Sequence, residues 1–90
     1  MSIRKNIAFS SFEFVMYNNS GAATTGLTVS GQRSIDGAAF AATTNSPTEV
    51  ANGVYTIILS AADLNGDNIT FRFTATGADA TIVTVFPSSE

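Results

Sequence analysis

The chain has 90 residues and contains no cysteine, no histidine and no tryptophan. The lack of cysteine excludes disulfides and thiol chemistry, and the lack of histidine removes the commonest general base and transition-metal ligand. Only 12% of the residues are charged, half of the roughly 25% that is usual for a soluble domain. We therefore expect one small domain with a neutral surface of short side chains. Such a surface suits either packing against neighbouring subunits or an extracellular β-domain.

The charge pattern also limits the classes of partner. With a net charge of −3 and four basic residues, the chain has no basic strip that could follow a phosphate backbone, so no nucleic acid is expected. No apolar run approaches the roughly 20 residues that span a bilayer. The first residues, MSIRKNIAF, include a short basic stretch with no apolar stretch after it, unlike a signal peptide. We expect a protein that is made in the cytoplasm and has no membrane partner.

The first half of the chain predicts extended structure. Strands are predicted over residues 12–17, 27–30 and 38–41, after an extended arm over residues 1–11. The first strand is aromatic and β-branched, and Phe12 and Phe14 would share one of its faces. The second strand would continue past a bulge at Gly31. The Asp36-Gly37 pair predicts a type I′ turn that brings the third strand back against the second.

The second half alternates short strands with turn residues. Strands are predicted over residues 49–51, 54–60, 69–76 and 81–86, with one helical turn over residues 61–64. Asn52-Gly53 predicts a second hairpin turn, or a corner, between the first two of these strands. The second is apolar on both faces, which indicates a central or covered strand. The third alternates apolar with polar side chains, which places Ile69, Phe71, Phe73 and Ala75 inward.

The regular spacing of strands and turns predicts an all-β fold. About seven short strands with turn residues roughly every ten positions are typical of a two-layer sandwich or a small barrel. We expect a single antiparallel β-sandwich of the Ig-like, Greek-key type over residues 12–87, with the arm at 1–11 and a short tail at 88–90. Tyr55, near the start of a strand, fits the tyrosine corner of such sandwiches, and the alternative is that it is a core aromatic.

The carboxylates do not form a predicted catalytic pair, because most lie in or beside turns, where aspartate caps the local backbone. Asp63, Asn65 and Asp67 place oxygen atoms at every second position, as a calcium loop does. The glycine and the glutamate that such a loop also needs are replaced by Asn68 and Thr74. Turn capping is the better interpretation. Without histidine to activate a hydroxyl, we predict no catalytic residue, no metal and no cofactor.

The aromatic segment near the N-terminus is the best candidate for contact with a partner. It holds more large apolar side chains than one edge strand of a small sandwich would bury on one face. The segment is therefore either core or a surface that docks on a neighbouring subunit, and the apolar residues of the arm favour docking. The predicted partner interface comprises Ile3, Ile7, Phe9, Phe12, Phe14 and Tyr17.

Several phrases of this sequence resemble a small module of tailed-bacteriophage virion proteins. The phrases are SIDGAAFAA at residues 34–42, NGVY at 52–55, LSAADL at 59–64 and FTATG at 73–77. In that module a Gly-x-Tyr-x-x-x-Leu-x-x-x-Asp-Leu pattern precedes a strand that ends in a phrase like Phe-Thr-Ala-Thr-Gly. Here the pattern is formed by Gly53, Tyr55, Leu59, Asp63 and Leu64. The resemblance spans residues 27–85. Its motifs are turns and corners, so it implies a fold and transfers no binding residue.

The resemblance implies a non-enzymatic component of a virus particle. A small sandwich with an arm would suit a capsid decoration or cement protein, located in the virion and bound to the major capsid protein or other virion subunits. Dimers or trimers would fit the symmetry of such sites. Two alternatives remain open: a tail, neck or fibre adaptor, and a carbohydrate- or host-surface-binding module. The carbohydrate module would need exposed aromatic side chains, for which Tyr17 and Tyr55 are the candidates.

Overall fold

The computed structural model describes residues 3–88. It is all-β, as predicted, with two antiparallel sheets. The strands are β1 (Phe9–Val15), β2 (Ser30–Ile35), β3 (Ala41–Ala42), β4 (Thr48–Ala51), β5 (Val54–Leu59), β6 (Ile69–Thr74) and β7 (Thr81–Val85). A 3₁₀ turn over Ala62–Leu64 lies between β5 and β6, where a helical turn was predicted. The three-stranded sheet has the order β1-β5-β4, and the four-stranded sheet has the order β3-β2-β6-β7.

One hydrophobic core lies between the inner faces of the two sheets. Phe14 of β1 stacks on Phe73 of β6, with ring centroids 3.8 Å apart and planes inclined by 6°. The predicted alternation of β6 is confirmed, because its three inward side chains are fully buried. Each large apolar side chain that is buried contributes about 1.5–3 kcal/mol relative to full exposure. The buried apolar residues are Phe14, Met16, Val29, Tyr55, Ile57, Leu59, Leu64, Ile69, Phe71 and Phe73.

Two tight turns form where the sequence predicts them. Asp36 and Gly37 have φ angles of +52° and +82°, and the amide of Ala38 donates to the carbonyl of Ile35 at 3.0 Å. The Asn52-Gly53 turn between β4 and β5 likewise has positive φ at both residues. Positive φ at both central residues is the signature of a type I′ turn. β5 follows the second turn and lies between β1 and β4, so of the two predicted alternatives, central or covered, it is the central strand of its sheet.

The second and third strands differ from their predicted positions. β2 begins at Ser30, and it pairs with β6 in unbroken register, so the predicted bulge at Gly31 is wrong. The glycine has a packing role instead, because a Cβ there would lie 2.8 Å from the Thr43 hydroxyl. β3 is shorter and later than predicted, and only Ala41 and Ala42 pair with β2.

The N-terminal segment differs from the predicted arm. β1 begins at Phe9, so the last residues of that segment belong to the sheet. The residues before it are bound to the other end of the same chain. The amide of Lys5 donates to the carbonyl of Ser88 at 2.7 Å, and the amide of Ser88 donates to the carbonyl of Ile3 at 2.9 Å. The outermost residues of the predicted arm and tail lie outside the described residues.

Alanine substitutions at Gly53 and Gly37 separate backbone strain from steric crowding. Both glycines have positive φ, so alanine costs roughly 1–2 kcal/mol at either position. A Cβ at Gly53 would also lie 2.8 Å from the Thr24 amide nitrogen, whereas a Cβ at Gly37 would meet nothing within 4 Å. We expect Gly53→Ala to lower the free energy of unfolding, measured in urea, by about 1 kcal/mol or more beyond Gly37→Ala. Equal losses would contradict the close approach of the β1–β2 connection to the second turn.

Candidate interaction surfaces

Four of the six predicted interface residues pack within this chain. Phe14 is only 6% exposed, so it is not available to a partner. Phe12 is half-buried and its ring lies 5.8 Å from that of Phe71. Ile3 and Phe9 are also half-buried and pack against the core. The inward face of the aromatic segment is therefore core, which is the alternative that the sequence left open.

The other two predicted interface residues are exposed but lie apart. Ile7 is 52% exposed and precedes β1, whereas Tyr17 is 47% exposed and follows it. The length of the strand, roughly 20 Å, separates them. They do not form one continuous patch with the rest of the predicted set, and a role for either residue in contact with a partner stays a prediction.

The outer face of the four-stranded sheet is polar at its centre. Arg72 donates to the side-chain oxygen of Gln32 at 3.2 Å, and the Thr70 and Thr84 hydroxyls are 3.1 Å apart. Ile82, on the edge strand β7, is 61% exposed. Two exposed aromatic residues accompany this sheet, Phe40 in the β2–β3 connection and Phe86 after β7.

A shallow hollow of about 370 Å³ lies beside the irregular start of β1. The Asn45 side chain crosses this region and donates to the carbonyl of Ile58 at 2.9 Å. The lining contains hydroxyl groups but no acidic or basic side chain. The lining residues are Ser10, Ser11, Asn45, Ser46, Thr48, Thr56, Ile57 and Ile58.

The carboxylates of the candidate calcium loop bind cationic side chains of this chain. Asp63 is buried, and it accepts hydrogen bonds from Arg33 Nε at 2.8 Å and from the Thr44 amide at 2.9 Å. Asp67 pairs with Lys5. Within residues 3–88 no three candidate metal ligands lie close enough together to hold an ion.

Tyr55 anchors the long connection between β1 and β2. Its ring is buried, its hydroxyl donates to the carbonyl of Thr24 at 2.9 Å, and it accepts from the amide of Leu27 at 3.0 Å. The hydroxyl of a tyrosine corner binds the backbone only a few residues upstream. Here the partners lie 28 and 31 residues away, so Tyr55 is a core aromatic with a long-range anchor.

Glu49 holds the same connection from the other side. Its carboxylate accepts hydrogen bonds from the Thr25 hydroxyl, from the Gly26 amide at 2.9 Å and from the Gly53 amide at 3.4 Å. These bonds, the one from Thr25 above all, hold the pKa of Glu49 below the ordinary glutamate value of 4.5. Sequence reasoning did not single out Glu49, because two of its partners lie in an aperiodic connection far upstream.

Comparison with known proteins found no relative of this chain. No family model, no curated protein and no solved structure matches this chain. Among the described residues, no helix is long and apolar enough to cross a membrane.

Replacing Tyr55 by phenylalanine tests the anchor. The ring would stay in the core, but the Leu27 amide and the Thr24 carbonyl would lose their partner in a partly buried site. We expect Tyr55→Phe to lower the free energy of unfolding in urea by about 1–2 kcal/mol. The matched control is Tyr17→Phe at an exposed position, which should change it by less than about 0.5 kcal/mol. Similar effects of the two changes would argue against the anchor.

The lowered pKa of Glu49 predicts an acid-dependent loss of stability. Because the folded state holds this pKa below its unfolded value, the ionised group stabilises the fold above pH 4.5. That contribution is lost as the pH falls through the lowered pKa. Glu49→Gln has no titrating group there, so the urea midpoints of wild type and variant should converge as the pH falls below 4.5. A constant difference from pH 7 to the acid limit would contradict the account.

Proposed function

We propose that this chain is a non-enzymatic structural protein of a tailed-bacteriophage particle. In this role it decorates the outer capsid shell and stabilises contacts between major capsid subunits. The observation that carries the proposal is the surface of this small two-sheet domain, which has few charged side chains. It carries hydroxyl groups and exposed apolar side chains such as Val50, Ile58 and Ile82 instead. Burying such a surface against a neighbour avoids the cost of desolvating charges. The sequence resemblance to virion modules supports the same role.

We infer that the fold is an Ig-like β-sandwich. The orders β1-β5-β4 and β3-β2-β6-β7 correspond to strands B-E-D and C′-C-F-G of an immunoglobulin-type domain. In that correspondence β2–β3, β4–β5 and β6–β7 are hairpins, and the chain changes sheets between them. Strand A, which lies beside strand B in the immunoglobulin sheet, has no counterpart in the described residues.

A non-catalytic role is supported by how the polar side chains are used. Asp63, Asp67 and Glu49 accept hydrogen bonds from groups of the same chain, and each joins parts of the fold that are distant in sequence. An acid or base catalyst needs a group that faces a substrate site. The one hollow described above offers only hydroxyl and amide groups and the apolar side chains beside them.

Two alternative functions would use the same domain in different ways. A tail, neck or fibre adaptor would present the same neutral surface in a few copies per particle. A carbohydrate-binding module is favoured by one observation: exposed Phe40 and Phe86 accompany a sheet face that is rich in hydroxyl groups. Tyr55 is buried and cannot stack on a sugar, which leaves Tyr17 from the predicted pair.

The copy number of this protein in purified particles tests the proposal. Quantitative mass spectrometry would compare it with the major capsid protein. A ratio near one, or a simple fraction of it, is the expected result for a decoration protein. A ratio of a few per cent would contradict decoration and favour the adaptor. Absence from the particles would exclude both virion roles, and glycan arrays would then test the carbohydrate module.

A further inference from the structure

The pairing of β1 with β5 contains a β-bulge next to the hollow described above. The register of this pairing shifts between Phe9 and Phe12. Two residues of β1, Ser10 and Ser11, therefore lie opposite the single residue Ile58 of β5. Bulges are over-represented at sheet edges and beside active sites, where they redirect side chains. Both serines line the hollow, so the bulge forms one of its walls.

A second wall is the connection before β4, which is held in place by hydrogen bonds. The side-chain amide of Asn45 donates to the carbonyl of Ile58 at 2.9 Å, and the Thr43 hydroxyl donates to the carbonyl of Asn45 at 2.7 Å. The Thr44 and Ser60 hydroxyls lie 2.9 Å apart. Because these bonds tie the connection to β5 and to the residue after it, this wall is formed before any ligand binds. A preformed wall lowers the entropic cost of binding.

The polar groups of the lining are not used within the chain. Hydroxyl groups from all three segments line the hollow, and within residues 3–88 none of them forms a hydrogen bond with another group. In the same range the side-chain oxygen of Asn45 also has no partner. The neighbouring Thr43, Thr44 and Ser60 hydroxyls are, by contrast, all bonded. The unbonded hydroxyls belong to Ser10, Ser11, Ser46, Thr48 and Thr56.

The charges around the hollow limit the class of ligand. The lining itself has no charged side chain. Glu13 is paired with Thr56, so an exposed carboxylate lies beside one of the lining residues and would repel an anion. An apolar ligand is disfavoured because it would cover hydroxyl groups without bonding to them. A neutral ligand with several hydroxyl groups fits these conditions, since each hydroxyl can both donate and accept a hydrogen bond.

We propose that this hollow binds one neutral sugar residue. Its volume of about 370 Å³ lies within the roughly 300–1,000 Å³ that is usual for small-molecule sites. The sugar hydroxyls bond with the lining hydroxyls and with Asn45, and the C–H side of the ring lies on the exposed side chain of Ile58. The hollow belongs to the three-stranded sheet, so it is distinct from the sheet face that Phe40 and Phe86 accompany. The site does not rest on the proposed role in a virus particle.

An NMR titration of the full-length protein with ligands that share one ring size tests this chemistry. The neutral probes are glucose, galactose, mannose and N-acetylglucosamine. The controls are glucuronic acid, which adds a charge to glucose, and cyclohexanol, which has one hydroxyl on a six-membered ring. We expect at least one neutral sugar to shift the amide signals of Ser11, Ser46 and Thr56 saturably, with a Kd of about 1–10 mM. Both controls should bind roughly tenfold or more weakly.

Thr56→Val and Thr74→Val form a matched pair of variants. Each replaces a half-buried strand threonine on an outer sheet face by a residue of similar shape without the hydroxyl, but only Thr56 lines the hollow. Valine favours strands, so both variants should fold. We expect Thr56→Val to weaken binding of the sugar roughly fivefold or more, and Thr74→Val to change it less than about twofold.

The shift map of the wild-type protein keeps the inference falsifiable if Thr56→Val does not fold. The proposal would be overturned if none of the four neutral sugars gave saturable shifts, or if the shifts lay outside the hollow. Equal or tighter binding of glucuronic acid or cyclohexanol would overturn it as well, and so would an unchanged affinity of Thr56→Val. None of these results depends on whether the protein is found in virus particles.

Discussion

The stacking of Phe14 on Phe73 is the contact on which the rest of the molecule depends, because it joins the two sheets at the centre of a small core. A domain of this size buries only about 60–65% of the surface of its unfolded chain, so it has few contacts to spare. Truncating one buried phenylalanine costs about 3–5 kcal/mol, against a typical net stability of 5–15 kcal/mol. The inward face of β1 is therefore committed to folding. A partner that contacts β1 must therefore use its edge or its outer face.

Polar contacts complete the structure by fixing its connections. Tyr55 and Glu49 hold the connection between β1 and β2 from two sides, and Asp63 joins the 3₁₀ turn to Arg33 of β2. These groups satisfy one another inside the chain, which leaves the exterior with hydroxyl groups and few charges. A surface of this kind can be buried with little electrostatic cost. This property supports the proposed role in binding and assembly.

The sequence correctly predicted the elements that are determined by neighbouring residues. The alternation in β6 and the Asp-Gly and Asn-Gly turns were sufficient, because side-chain period and positive φ are properties of neighbouring residues. The need for glycine at position 31 could not be predicted, because the residue that leaves no room for a Cβ there, Thr43, is not one of its neighbours in the sequence. Two partners of Glu49, Thr25 and Gly26, lie farther away still in the sequence. The interface prediction combined core residues with residues beside an open strand edge. The sequence alone does not distinguish aromatic residues in these two positions. Only the pairing of β1 with β5 separates the buried Phe14 from the half-buried Phe9 and Phe12.

The central claim is that β1 is core on its inward face and unpaired along its outer edge. Amide hydrogen exchange along β1 in the isolated protein, followed by NMR, tests this claim most directly. The account predicts alternation: the amides of Phe12 and Phe14, which pair with β5, exchange slowly, whereas the Glu13 amide between them exchanges much faster. Uniformly slow exchange across these three residues would show that the edge is already paired, and uniformly fast exchange would show that β1 is not held in the sheet. Either result would contradict the account.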